Sequence, residues 1–159
     1  MFGDSLTGKT ELRTLGVNEM GKKIDEIIRE INKLDPPQGR KMPLPDDFLI
    51  REYEKNIGLK FPNDYKKILK NVSNAFVGYI SLLTLNKEMG GIYGELLTTL
   101  KEARAQGLPK TWLPICEDNG DYYCILPDGK ISFWSHNGVS HETWPNLATW
   151  AEEVWLENK

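Results

Sequence analysis

Two sets of residues in this chain could do chemistry: an N-terminal glycine-lysine-threonine pattern and a group of Cys, His and carboxylate side chains in the last third. Gly3-Asp4-Ser5-Leu6-Thr7-Gly8-Lys9-Thr10 matches the phosphate-binding pattern G-x-x-x-x-G-K-[ST]. That loop works only between a buried strand and a helix, which together aim its amides at phosphate. Only Met1 and Phe2 precede it, and no apolar run ending in Asp follows to hold magnesium. The rest of the chain does not alternate β and α units either. The match reads as chance in a polar segment.

Cys116, Cys124, His136 and His141 invite a metal site, but their spacing lacks the close ligand pairs of zinc motifs. Across an Asn137-Gly138 turn, His136 would face Val139 and His141 would face Trp134, so the imidazoles do not converge. Asp118-Asn119-Gly120-Asp121 lacks the length and terminal glutamate of a calcium loop and reads as a hairpin turn. Cys124 sits mid-strand with no helix N-terminus to activate it, and Ser140 and His141 point to opposite strand faces. No nucleophile, base and orienting group can be assembled, so neither an enzyme, a metal nor a cofactor is expected.

What remains is charge. From Thr111 to Lys159 the chain has Glu117, Asp118, Asp121, Asp128, Glu142, Glu152, Glu153 and Glu157 against Lys130 and Lys159, or 2 − 8 = −6. Residues 1–43 carry 8 basic and 7 acidic side chains, and residues 44–110 carry 10 and 8, so the acidity belongs to the C-terminal third. An acidic surface repels nucleic acid and draws basic partners. Glu117, Asp118, Asp121, Asp128 and Glu142 are the candidate partner contacts, with Tyr122 and Trp134 as exposed aromatic anchors.

Those residues need a frame. Trp112 to Cys116, Tyr122 to Leu126, Ile131 to Ser135 and Val139 to Thr143 read as strands joined by Asp-Gly and Asn-Gly turns. Asn146 caps a closing helix that buries Leu147, Trp150, Ala151 and Val154. Upstream, Ile24, Ile27, Ile28, Ile31 and Leu34 mark one helix, stopped by Asp35-Pro36-Pro37. Leu49, Tyr53 and Ile57 mark a second, with Asp46 or Asp47 as cap and Gly58 as stop. Tyr65, Ile68, Leu69 and Val72 mark a third, whose lysines form a solvated face. One or two strands follow in Ala75 to Leu85, then a helix from Tyr93 to Ala105. The fold class is α+β: an antiparallel β-sheet meander packed against N-terminal helices and a C-terminal helix. Residues 1–21 are expected to be a flexible leader and residues 22–159 a single domain. Neither a signal peptide nor a membrane span is legible, and the two cysteines should be free thiols, as in cytoplasm.

Three segments in order carry a resemblance. They are Glu52 to Leu69, with Ile57-Gly58-Leu59-Lys60-Phe61-Pro62-Asn63-Asp64-Tyr65; Trp112 to Cys116 with Asp118 to Tyr123; and Gly129 to His136 followed by Asn146 to Trp150. Together they resemble the SUKH superfamily, and more narrowly its branch named after the yeast cell-wall synthesis regulator of the Smi/Knr type. The chain departs from the pattern at Asn71-Val72-Ser73-Asn74-Ala75, where glycines are usual, and at Phe61, where leucine is usual. The resemblance implies a bacterial, cytoplasmic immunity protein that binds and neutralises a cognate toxin domain, often a nuclease, by occlusion rather than chemistry. A regulatory or scaffold module of the same fold is the alternative.

Overall fold

The computed structural model describes residues 23–35, 41–138 and 140–157; the leader, its phosphate-loop pattern and Val139 lie outside these. Helix α1 spans Ile24–Leu34 and buries Ile24, Ile27, Ile28 and Ile31; Leu34, expected on the same face, is exposed at the helix end. Asp46 caps α2 (Asp47–Ile57) by accepting the Leu49 amide at 2.9 Å, and Gly58, at φ 82°, ends it in the left-handed region. Its buried line is Ile50, Tyr53 and Ile57. Leu49, expected on that line, is only partly buried. Helix α3 (Asn63–Val72) buries Tyr65, Ile68, Leu69 and Val72, the stripe expected of it.

Ala75 to Leu85 is not a strand pair. It forms isolated bridges, Val77 with Ile80, Leu82 with Cys116 and Thr84 with Glu95. Leu83 donates to the Ile115 carbonyl at 2.9 Å, while Thr84 exchanges bonds with Gly94 and Leu96. The segment therefore covers a sheet edge that would otherwise lie open. Helix α4 (Leu96–Ala105) starts three residues later than the apolar pattern indicates, because the buried Glu95 side chain is its cap.

The sheet has the order β1-β2-β3-β4, all antiparallel: β1 Leu113–Asp118, β2 Asp121–Ile125, β3 Ile131–Trp134 and β4 Thr143–Trp144. A bulge between Pro114 and Cys116 sets Cys124 opposite Pro114 and Tyr123 opposite Cys116, skipping Ile115. Proline lacks a donor, and a bulge is where a strand accepts that loss. The last strand is shorter than expected; the ladder holds at Ile131–Trp144 and Ser132–Thr143, then closes through a Ser135–Gly138 bridge.

Both sheet faces are covered. Tyr123 packs on Phe133, Trp144 and Trp150, while Tyr122 stacks on Trp134 on the other face, at the end of α4. Helix α5 (Leu147–Trp150) runs directly into a π-helical turn, Ala151–Leu156. Trp155 is buried, as a 3.6-residue period also allows, but the wider turn brings Leu156 into the core and leaves Val154 only partly buried, contrary to that period. Among the described residues, no helix is long and apolar enough to cross a membrane.

Candidate functional site

Asn119 and Gly120 have φ of 53° and 86°, the paired positive values of a two-residue hairpin turn between β1 and β2. Such a turn forces Asp118 and Asp121 into direct cross-strand register. Like charges so placed repel, at a cost of up to about 1 kcal/mol. His136 relieves part of it, with Nδ1 lying 3.0 Å from Asp121 Oδ1. Glu117 is built into the same tip. Its Oε2 accepts the Gly120 amide at 3.1 Å and its Oε1 accepts the Tyr93 hydroxyl at 2.8 Å.

The expected contacts therefore separate. Glu117, Asp118 and Asp121 converge at the hairpin tip, whereas Glu142 lies on the far side of β3, its carbonyl accepting the Phe133 amide at 3.3 Å; burial, with Asp118 and Glu142, pushes the Tyr123 hydroxyl up to about 12. Asp128 lies at the opposite end of the sheet, in the β2–β3 turn, where it accepts the Lys130 amide at 3.0 Å. Tyr122 is 2% exposed and so is no exposed anchor. The sheet face it lies on is covered where α4 ends. Trp134 is half-buried against it, ring centroids 6.0 Å apart. Among the described residues, no Lys or Arg pairs with Glu117, Asp118, Asp121 or Glu142.

Two members of the site come from the middle of the chain. Tyr93 is 87% exposed yet tied to Glu117. Exposed Glu102 on α4 acts on both Tyr93 and Tyr122. Nothing local in the sequence marks either of them, since Tyr93 and Glu117 stand 24 residues apart.

Residues that suggested chemistry do not assemble. Ser140 Oγ accepts the Glu142 amide at 3.2 Å instead of facing a base. Both cysteines are buried free thiols. Burial pushes the Cys116 thiol up to about 12 and moves Cys124 in the same direction. Both should resist a thiol-exchange reagent such as DTNB at pH 8 in the folded protein and react fully once guanidinium unfolds it; fast native labelling of either would contradict their burial. Surface concavities of about 240, 320 and 400 Å³ lie around Leu59, Lys60, Pro62 and Ile125, and no Cys or His lines them. Among the described residues, no three His, Cys, Asp or Glu side chains are grouped to hold a metal.

The family described as SMI1-KNR4 cell-wall (SUKH_5) matches residues 24–156. A crystal structure of a protein from Pseudomonas syringae pv. tomato is similar to the chain at 30% identity and a TM-score of 0.75. That likeness covers 84% of this chain and 98% of the other. No curated protein matches.

Proposed function

The chain belongs to the SMI1-KNR4 cell-wall (SUKH_5) family, and on that premise we propose that it is a non-enzymatic immunity protein that captures a basic toxin domain through its acidic hairpin tip. One observation carries the reading: Glu117, Asp118 and Asp121 share the tip with no Lys or Arg counter-ion among the described residues. A fold that retains a cross-strand pair of like charges gives up stability for a negative field. Such a field speeds encounter with a basic surface, and surfaces that hold phosphates, as in nucleases, are basic. Capture then needs only shape and charge, with no bond made or broken.

Co-purification from the native host, followed by mass spectrometry, tests this directly. A basic toxin domain that the chain neutralises on co-expression supports it; recovery of cell-wall assembly proteins alone would shift the reading to a regulatory module, which the family's cell-wall description favours. With the captured partner in hand, Asp118→Lys combined with Glu142→Lys should slow association about tenfold at low salt and flatten its salt dependence. Dissociation should change much less. An unchanged on-rate would remove the acidic tip from the mechanism.

A further inference from the structure

We infer that Tyr93 is the anchor of this surface and that it receives an arginine side chain presented by the partner; the inference rests on the acidic-capture reading above. The ring is 87% exposed, but it is not loose, because its hydroxyl donates to Glu117 Oε1 at 2.8 Å. Glu117 is itself held by the Gly120 amide. The backbone beneath is pinned on both sides, with the Gly91 amide on Thr98 Oγ1 at 3.0 Å and the Gly94 carbonyl accepting the Thr84 amide at 2.9 Å.

A rigid exposed ring loses little freedom on binding, which is what makes an aromatic side chain a good anchor. It is also not isolated. Ile92 is 46% exposed and Tyr79 is 88% exposed. The antiparallel Leu82–Cys116 bridge runs Tyr79 toward the Asp118-Asn119 end of β1. Exposed apolar area beside carboxylates with no Lys or Arg partner among the described residues calls for a ligand that is flat, cationic and weakly hydrated. A guanidinium meets all three conditions: it stacks on the ring and pairs with a carboxylate through a planar fork, which an ammonium cannot do. Glu117, which accepts the Tyr93 hydroxyl, is the carboxylate in place for that pairing.

The test uses fluorescein-labelled deca-arginine and deca-lysine, titrated into the full chain at about 50 mM salt, where the Debye length still spans the tip. Wild type should bind deca-arginine several-fold more tightly than deca-lysine. Tyr93→Ala should weaken deca-arginine about fivefold and erase that preference, whereas Tyr93→Phe, which keeps the ring, should retain it. Tyr93→Ala should melt at the wild-type temperature, because the ring is exposed. Unchanged binding by Tyr93→Ala, alongside strong loss in the Asp118→Lys, Glu142→Lys double variant, would overturn the anchor and leave acidic capture standing. Unchanged binding in both would overturn both.

Discussion

Replacing Glu95 by alanine should destabilise the protein by about 3 kcal/mol, as a helix cap and a charged hydrogen bond are lost together. The carboxylate is 0% exposed and serves three donors: Tyr53 Oη at 2.6 Å, the Leu97 amide at 2.9 Å and the Thr98 amide at 2.8 Å. Truncation strips the Leu97 and Thr98 amides of their acceptor and leaves Tyr53 Oη only the longer contact to the Asn86 carbonyl at 3.2 Å, and each unmet donor costs its desolvation. The network also reaches Asn86, whose amide donates to Tyr53 Oη at 3.0 Å. Through it, the segment that carries Tyr93 is fastened to α2. Urea or thermal unfolding should register a melting-temperature loss of about 6–12 °C for a chain of this size. A loss below about 1 kcal/mol would mean that water or a neighbour replaces the carboxylate at no cost.

The same group fixes a pH dependence. Burial pulls the Glu95 pKa up, but Tyr53 and the two amides outweigh it, and the net value falls below the ordinary 4.5. A carboxyl whose pKa is depressed by folding stabilises the native state above its unfolded pKa and loses that contribution as pH falls through the folded one. The stability gap between wild type and Glu95→Gln should therefore be constant from pH 7 to about 5 and close below 4.5. A gap that widens on acidification would reverse the sign and remove the ionised Glu95 from the core.

How much of this could be read from the residues depended on how local each cause was. The stripes of α1 and α3, the Asp46 cap, the Gly58 stop and the Asn119-Gly120 turn are decided within a few residues, and the sequence pattern places them correctly. Ala75 to Leu85 has the composition of a strand pair, but its backbone groups are spent on covering β1, on donating to Gly94 and on accepting from Leu96, a choice made by distant chain. For Tyr122, alternation supplies two faces without saying how many are wet; here α4 takes the second. The acidic tip was legible as composition. Its division from Asp128, and its completion by Tyr93 and Glu102, required the third dimension.

The closing helix offers the sharpest contrast between pattern and structure. On a regular helix from Leu147, the inward line continues through Trp150, Ala151 and Val154, and truncating Val154 would open a core cavity. In the π-helical turn the line steps by five, from Trp150 to Trp155 and from Ala151 to Leu156. Trp155 is 0% exposed, lies 6.4 Å from Trp150 between ring centroids, and donates Nε1 to the Val77 carbonyl at 3.1 Å. Trp155→Ala should cost about 4 kcal/mol and Leu156→Ala about 3 kcal/mol, while Val154→Ala, at a half-buried site, should cost about 1 kcal/mol or less. Chemical denaturation of the three variants decides it, and Val154→Ala costing more than Leu156→Ala would restore a regular helix. The loss should also reach the candidate interface. Val77 opens the tight Val77–Ile80 turn that displays Tyr79. Freed from Trp155, that turn should exchange its amides faster with solvent, linking the core at one end of the chain to the aromatic surface beside the acidic tip.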